Sequence, residues 1–215
     1  MGSPKDKPRG YFEKLLVVDC ETTGLCFREE SPVYDPSTGE RHQSLSWGII
    51  VASALTLKPI EKTYIEIKWN EASKAQRQKN PRFGKEAEKV HGLTYTHLEE
   101  HGITEEEAII EIAQIILKHF GPKNCIRLMG HNVHLFDRMF LKDLFDRYEI
   151  PLKFCNRHYD TNSAGFMTFG TWNSDELFDW CGFETRTNHN ALDDALMTLE
   201  SARIMRTIFQ QAING

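Results

Sequence analysis

Two carboxylates one residue apart, Asp19 and Glu21, close a short apolar run, Leu15-Leu16-Val17-Val18. On a β-strand, side chains two apart project from the same face. Both acids therefore point one way, and Cys20 points the other way, as core filling. Adjacent anions repel, and burying them costs several kcal/mol unless something neutralises them. A divalent cation does this, and hard oxygen ligands select Mg²⁺ or Mn²⁺ over softer metals. A solvated strand end with two surface acids is the other reading of the pair.

A third acid, Asp137, stands in His131-Asn132-Val133-His134-Leu135-Phe136-Asp137, after a short apolar run and at the start of an amphipathic segment. The carboxyl ends of strands are where open α/β sheets place ligands. Taken alone, an Asp in a helix's first turn is also a surface residue favoured by the helix dipole. A fourth element is His189-Asn190-Ala191-Leu192-Asp193-Asp194. Asn190 fits a helix N-cap, His189 sits in the loop before it, and Asp194 lies one turn inside. That arrangement suits a proton acceptor beside a metal ligand, although His189 alone is an ordinary loop histidine. Asp193 points about 100° away around the helix, toward solvent.

These groups need a sheet and helices to hold them. Leu15–Asp19 is a short β-branched run and predicts a buried strand. Residues 27–43, with Ser31, Pro32, Asp35, Pro36, Ser37 and Gly39, read as a polar loop or hairpin insertion. Ser46–Leu57 and Thr63–Trp69 predict two more strands, the first three forming an antiparallel meander. Residues 70–90 read as helix and loop around Pro81. Ile109, Ile112, Ile116 and Phe120 fall at helical spacing, and Thr104 with Glu107 forms a capping-box pattern. Ile126–Met129 predicts a fourth strand. Residues 135–149 predict a helix with Phe136, Phe140, Leu144 and Tyr148 on one face. Leu152–Cys155 predicts a fifth strand, and Ser174–Cys181 a short helix closed by Gly182. Residues 191–211 predict the last helix. The sum is an α/β chain with a five-stranded mixed sheet flanked by helices. Residues 1–10 read as a flexible arm and 11–215 as one domain.

The chain has 215 residues, 40% hydrophobic and 27% charged, with a formal net charge of −5. An ordinary globular balance argues against wholesale disorder, and the charge excludes a uniformly basic nucleic-acid coat. Between Lys68 and Val90, however, seven basic residues face three acids. This stretch suits phosphate tracking and equally suits a solvated helical face. Five cysteines with no Cys-x-x-Cys argue against a disulfide framework or zinc ribbon and for a reducing compartment. No apolar run is long enough for a signal peptide or membrane span, so the expectation is a soluble, cytoplasmic protein.

Together the motifs resemble one family. Val18-Asp19-Cys20-Glu21-Thr22-Thr23-Gly24 is similar to the first motif of the DEDDh 3′–5′ exonucleases, the DnaQ-like branch of the ribonuclease H-like fold. His131-Asn132 with Phe136-Asp137 resembles the second motif, and His189-x-Ala191-x-x-Asp194 the third. Val90-His91-Gly92-Leu93-Thr94 and Asp160-Thr161 also resemble family segments. The likeness spans residues 14–205; the 27–43 loop and the 70–89 stretch are longer than in minimal members. It implies two divalent cations, Mg²⁺ or Mn²⁺, held by Asp19, Glu21, Asp137 and Asp194, with His189 as general base. It implies Thr22 and Leu25 as contacts to the 3′-terminal nucleotide of a single strand of DNA or RNA, and His131 as a substrate contact at the scissile region. It implies release of nucleoside 5′-monophosphates. A polymerase or a second copy of the chain is a compatible partner. Two rivals remain at this point: a catalytically silent nucleic-acid-binding module on the same fold, and a zinc hydrolase using His131, His134 and Asp137.

Overall fold

The computed structural model describes residues 14–26, 32–35, 39–122, 125–184 and 189–214. The residue 1–10 arm lies outside the described residues. The central strand is β1, Lys14–Thr22, whose Leu15, Leu16, Val17 and Val18 are all buried. Both faces of this strand are covered, which explains its unbroken apolar run. A small hairpin follows, β2 (Tyr34–Asp35) and β3 (Glu40–Arg41), within the expected insertion. Then come β4 (Ser44–Ser53) and β5 (Pro59–Glu66), both shifted toward the N-terminus from the expected runs. The shift follows from a turn at residues 54–56, where Leu57 adopts a positive φ of 54° and its N–H bonds to the Ser53 carbonyl.

Four helices succeed them: α1 (Glu71–Lys79), α2 (Lys85–His91), α3 (Tyr95–His101) and α4 (Glu105–Phe120). The capping box at the head of α4 forms as expected: Thr104 accepts from the Glu107 N–H, and the Glu107 side chain accepts from the Thr104 N–H. Ile109, Ile112 and Ile116 of α4 are buried, each such side chain stabilising the fold by about 1.5–3 kcal/mol. The chain continues with β6 (Leu128–Gly130), α5 (Asp137–Asp146), β7 (Tyr159–Asp160), α6 (Thr161–Phe169), α7 (Ser174–Trp180) and α8 (Ala191–Asn214).

The main sheet has the order β5-β4-β1-β6-β7. The first three strands pair antiparallel; β6 and β7 join in parallel. This is the mixed five-stranded sheet of the ribonuclease H-like fold, but its fifth strand differs from the expected one. Phe154 makes only an isolated bridge to Ile126. The chain then leaves the sheet and rejoins it at Tyr159, opposite Met129. The ladder is broken there, so Leu152–Cys155 is not a continuous strand. Neither α3 nor α6 was expected. Each buries very little, Leu98 in one case and Thr161 with Gly165 in the other, so neither carries a helical stripe to read.

Two layers flank the sheet. Leu16, Val18 and Trp47 pack against α4 and α5 on one face; Leu15, Val17 and Ile50 pack against Ala195 and Leu199 of α8 on the other. Cys125 and Cys155 lie within sulfur–sulfur bonding reach, a pairing that the odd cysteine count concealed, while Cys20 and Cys26 are buried and Cys181 half-buried elsewhere in the fold. Among the described residues no helix is long and apolar enough to cross a membrane.

Candidate active site

The end of β1 opens into a cleft of about 260 Å³, lined among others by Asp19, Glu21, His189 and Asp194. Three long-range approaches build it. The first is that of α8. Gly48 of β4 stands directly opposite Asp19 in the antiparallel ladder. A Cβ on Gly48 would lie 2.0 Å from the Ala191 carbonyl oxygen, so the missing side chain lets the first turn of α8 rest on the sheet. Asn190 caps that turn, its side-chain oxygen accepting from the Leu192 and Asp193 N–H groups. Asp194 is thereby buried against the sheet.

The second approach is that of α2. Its Val90 carbonyl accepts from the His189 N–H, anchoring the loop before α8. His91 is buried beneath the cleft. Its Nδ1 accepts from the Leu93 N–H, which leaves Nε2 to donate to the Thr22 carbonyl at 3.2 Å. Burial depresses the His91 pKa, with the nearby His189 adding to the fall, and this keeps the ring neutral in that tautomer. His91 thus clamps the end of β1. Its role was invisible in the sequence, where only the segment Val90–Thr94 stood out.

The third approach ties the β6 end to β7. Asp160 accepts from the Asn132 and Asn162 N–H groups, and the Thr161 hydroxyl lies 3.2 Å from both the Gly130 carbonyl and His131 Nδ1. The Asp160-Thr161 pair therefore shapes the loop that carries His131 and leads into α5.

The expected site residues fall into three groups. Ligand atoms of Glu21, His189 and Asp194 all lie within 4.8 Å of one another. His189 Nδ1 is 3.4 Å from Asp194 Oδ2. Asp19 lines the same cleft, half-buried. Asp137 is placed differently. It is fully buried against Cys20, whose thiol hydrogen-bonds to its carboxyl group, and burial pushes its pKa up to about 7, with the Glu21 charge adding to the rise. Cys20 is thus more than core filling: burial and then the charges of Asp137, Asp19 and Glu21 hold its thiol well above its ordinary value. The Asp137 Oδ1 atom is buried without a hydrogen-bond partner, which is costly unless a cation completes it. That orphaned oxygen and the three converging ligand atoms fit divalent cations.

The expected nucleotide contacts also divide. Leu25, 36% exposed, stands on the cleft wall. Thr22 lines the cleft too, but its hydroxyl donates to the Gly24 carbonyl and accepts from the Gly24 N–H, so it shapes the turn. His131 reaches the cleft with both ring nitrogens near protein partners, Thr161 Oγ1 and the Trp172 carbonyl. The zinc set does not assemble: His134 is exposed beside His158, away from His131 and the buried Asp137. Among the described residues only Glu21, His189 and Asp194 form a metal-holding group.

The basic stretch is partly committed within the protein. Lys74 pairs with Glu71 and Glu99, Arg77 with Glu88, and the Arg77 guanidinium lies over Trp69 and Tyr95. Ala87, Val90 and His91 of α2 line the cleft, so the basic stretch does border it.

A family model described as Exonuclease (RNase_T) matches residues 16–201. Solved structures share the fold. The nuclease domain of 3′hExo, a DEDDh family member bound to rAMP, superposes with a TM-score of 0.64 at 13% identity, covering 92% of this chain and 94% of that one. Exonuclease I of E. coli in complex with a dT13 oligonucleotide gives 0.68 at 16% identity, covering 94% of this chain and 43% of that one. A 3′-exonuclease described for 3′-end recognition of the histone mRNA stem-loop gives 0.63 at 13% identity, covering 92% and 83%. No curated protein sequence matches the chain.

Proposed function

The chain belongs to the RNase_T exonuclease family, and we propose that it is a DEDDh-type enzyme that removes nucleoside 5′-monophosphates one at a time from the 3′ end of single-stranded DNA or RNA. The observation that carries this reading is the convergence of Glu21, His189 and Asp194 within 4.8 Å at the end of β1. The buried Asp137 Oδ1, without a hydrogen-bond partner and within electrostatic reach of Glu21, adds to it.

Asp19, Glu21, Asp137 and Asp194 would hold two divalent cations, Mg²⁺ or Mn²⁺. When bound, these supply a lowered pKa for the attacking water and charge neutralisation at the scissile phosphate. The protein's own part is positional and acid–base. With Nδ1 turned to Asp194 Oδ2, His189 presents Nε2 as the atom that takes the proton from water. The Asp194 carboxylate then stabilises the imidazolium that forms. Leu25 packs against the terminal base, and the turn held by Thr22 and the loop held by His131 define the walls that receive the terminal nucleotide.

Single-stranded DNA, duplex DNA and RNA, each labelled at the 3′ or the 5′ end, test the proposal in Mg²⁺ with and without chelator. The expected result is immediate release of labelled mononucleotide from the 3′ label and a descending ladder from the 5′ label, both abolished by chelation. Full activity in excess EDTA, or cutting of a closed circular single strand, would overturn it.

A further inference from the structure

Beyond the cleft, α6, the following loop and the start of α7 display aromatic rings. Trp172 is 66% exposed and Phe166 52% exposed, with ring centroids 6.0 Å apart and planes inclined by 36°. Large exposed aromatics lose hydrophobic stabilisation when left in water. Here the backbone beneath them is held firmly. The Trp172 carbonyl accepts from Asn162 Nδ2 at 2.7 Å and lies 3.1 Å from His131 Nε2. On one side Thr171 is buried and its hydroxyl is bonded to Glu176; on the other, Asn173 caps α7 by accepting from the Asp175 and Glu176 N–H groups. The indole is therefore mounted on a rigid loop rather than on a mobile tip.

This mount is continuous with the cleft. His131, which bonds the Trp172 carbonyl, lines the cleft, and so does Ser174, two residues further on. Ala87, Val90 and His91 of α2 also line the cleft, and on that helix Lys85 and Lys89 are balanced by Glu86 and Glu88, with Lys89 paired to Glu86. The α7 end instead carries Asp175 and Glu176. Acids at that wall repel phosphates but not base faces. A strand leaving the cleft past this wall is therefore favoured with its bases, rather than its phosphates, toward the rings.

We propose that Trp172, with Phe166 beside it, is a stacking platform for unpaired bases upstream of the 3′-terminal nucleotide. It rests on the nuclease reading and adds a preference for single strands long enough to reach the rings. Stacking tolerates any base, because every base presents a π-face. The contact is sequence-neutral.

The test compares wild type, Trp172→Ala, Trp172→Phe and Phe166→Ala. Substrates are a thymidine dinucleotide, an eight-residue oligothymidylate, and the same octamer with abasic sites upstream of its terminal nucleotide. Binding of each strand is also followed by fluorescence anisotropy in chelator. Trp172→Ala is expected to raise KM and the dissociation constant for the octamer roughly tenfold, within the range for loss of one stacked base. Dinucleotide turnover stays unchanged, and Trp172→Phe recovers most of the loss. On the abasic octamer, wild type and Trp172→Ala become equal. An unchanged octamer KM overturns the proposal, and so does an equal loss on the abasic strand. A shift from dimer to monomer in Trp172→Ala without a binding change also overturns it, assigning the rings to contact between copies. Trp172-dependent binding without cleavage by wild type would sink the nuclease reading while the platform stands. Cleavage indifferent to Trp172 would sink the platform alone.

Discussion

Replacing Gly48 with alanine tests whether the approach of α8 to the sheet is what assembles the site. The new Cβ would sit 2.0 Å from the Ala191 oxygen, 2.2 Å from its carbonyl carbon and 2.4 Å from the Leu192 nitrogen. All three are backbone atoms, so no side-chain rotation relieves the clash. Reaching ordinary contact at about 3.4 Å requires the first turn of α8 to retreat by roughly 1.4 Å. Overpacking of this kind costs about 1–3 kcal/mol, which in a chain of this size lowers Tm by about 2–12 °C. His189 and Asp194 flank Ala191 and move with it, away from Glu21. A displacement near 1 Å at reacting groups lowers turnover by about 10²-fold. The assay is kcat on a labelled single-stranded oligonucleotide across a Mn²⁺ series, with a thermal melt alongside. The loss should be partly recovered at high Mn²⁺ if the cluster is widened rather than destroyed. A stable Gly48→Ala protein with activity within twofold of wild type would refute the reasoning.

His189→Ala should lower kcat by roughly 10²–10⁴ while strand affinity holds, and should remove the histidine step from the pH–rate profile; an unaltered profile would deny it the role of base. Asp137 predicts a pH effect on the metal-free protein. Burial raises its pKa to about 7, well above the ordinary carboxylate value of about 3.9. Between those limits the folded chain holds a proton that the unfolded chain has lost. Its contribution to stability therefore falls as pH rises from about 4 to about 7, and is level above that. Urea melts in EDTA at pH 5 and pH 8 should show Asp137→Asn losing less stability over this interval than wild type; equal losses would refute the assignment.

Much of the site was legible because it is local. A period of two places Asp19 and Glu21 on one strand face, and the helical turn separates His189 from Asp194. The Thr104–Glu107 box marked the start of α4 within one residue, and the resemblance joined motifs more than a hundred residues apart into one family. What stayed hidden depends on which surfaces meet. Gly48 reads as a weak point in an apolar strand until Ala191, 143 residues later, is found against it. His91 reads only as part of the segment Val90–Thr94 until its Nε2 is seen to hold the end of β1, with Nδ1 fixed by the Leu93 N–H. Asp137 reads as a fourth ligand equal to the rest, yet tertiary packing alone buries it against Cys20 and lifts its pKa. The fifth strand shifted from Leu152–Cys155 to Tyr159–Asp160 for the same reason. Hydrophobic period records which face of an element turns inward. Which backbones come into contact, and which charges lose their water, is decided only when distant elements pack.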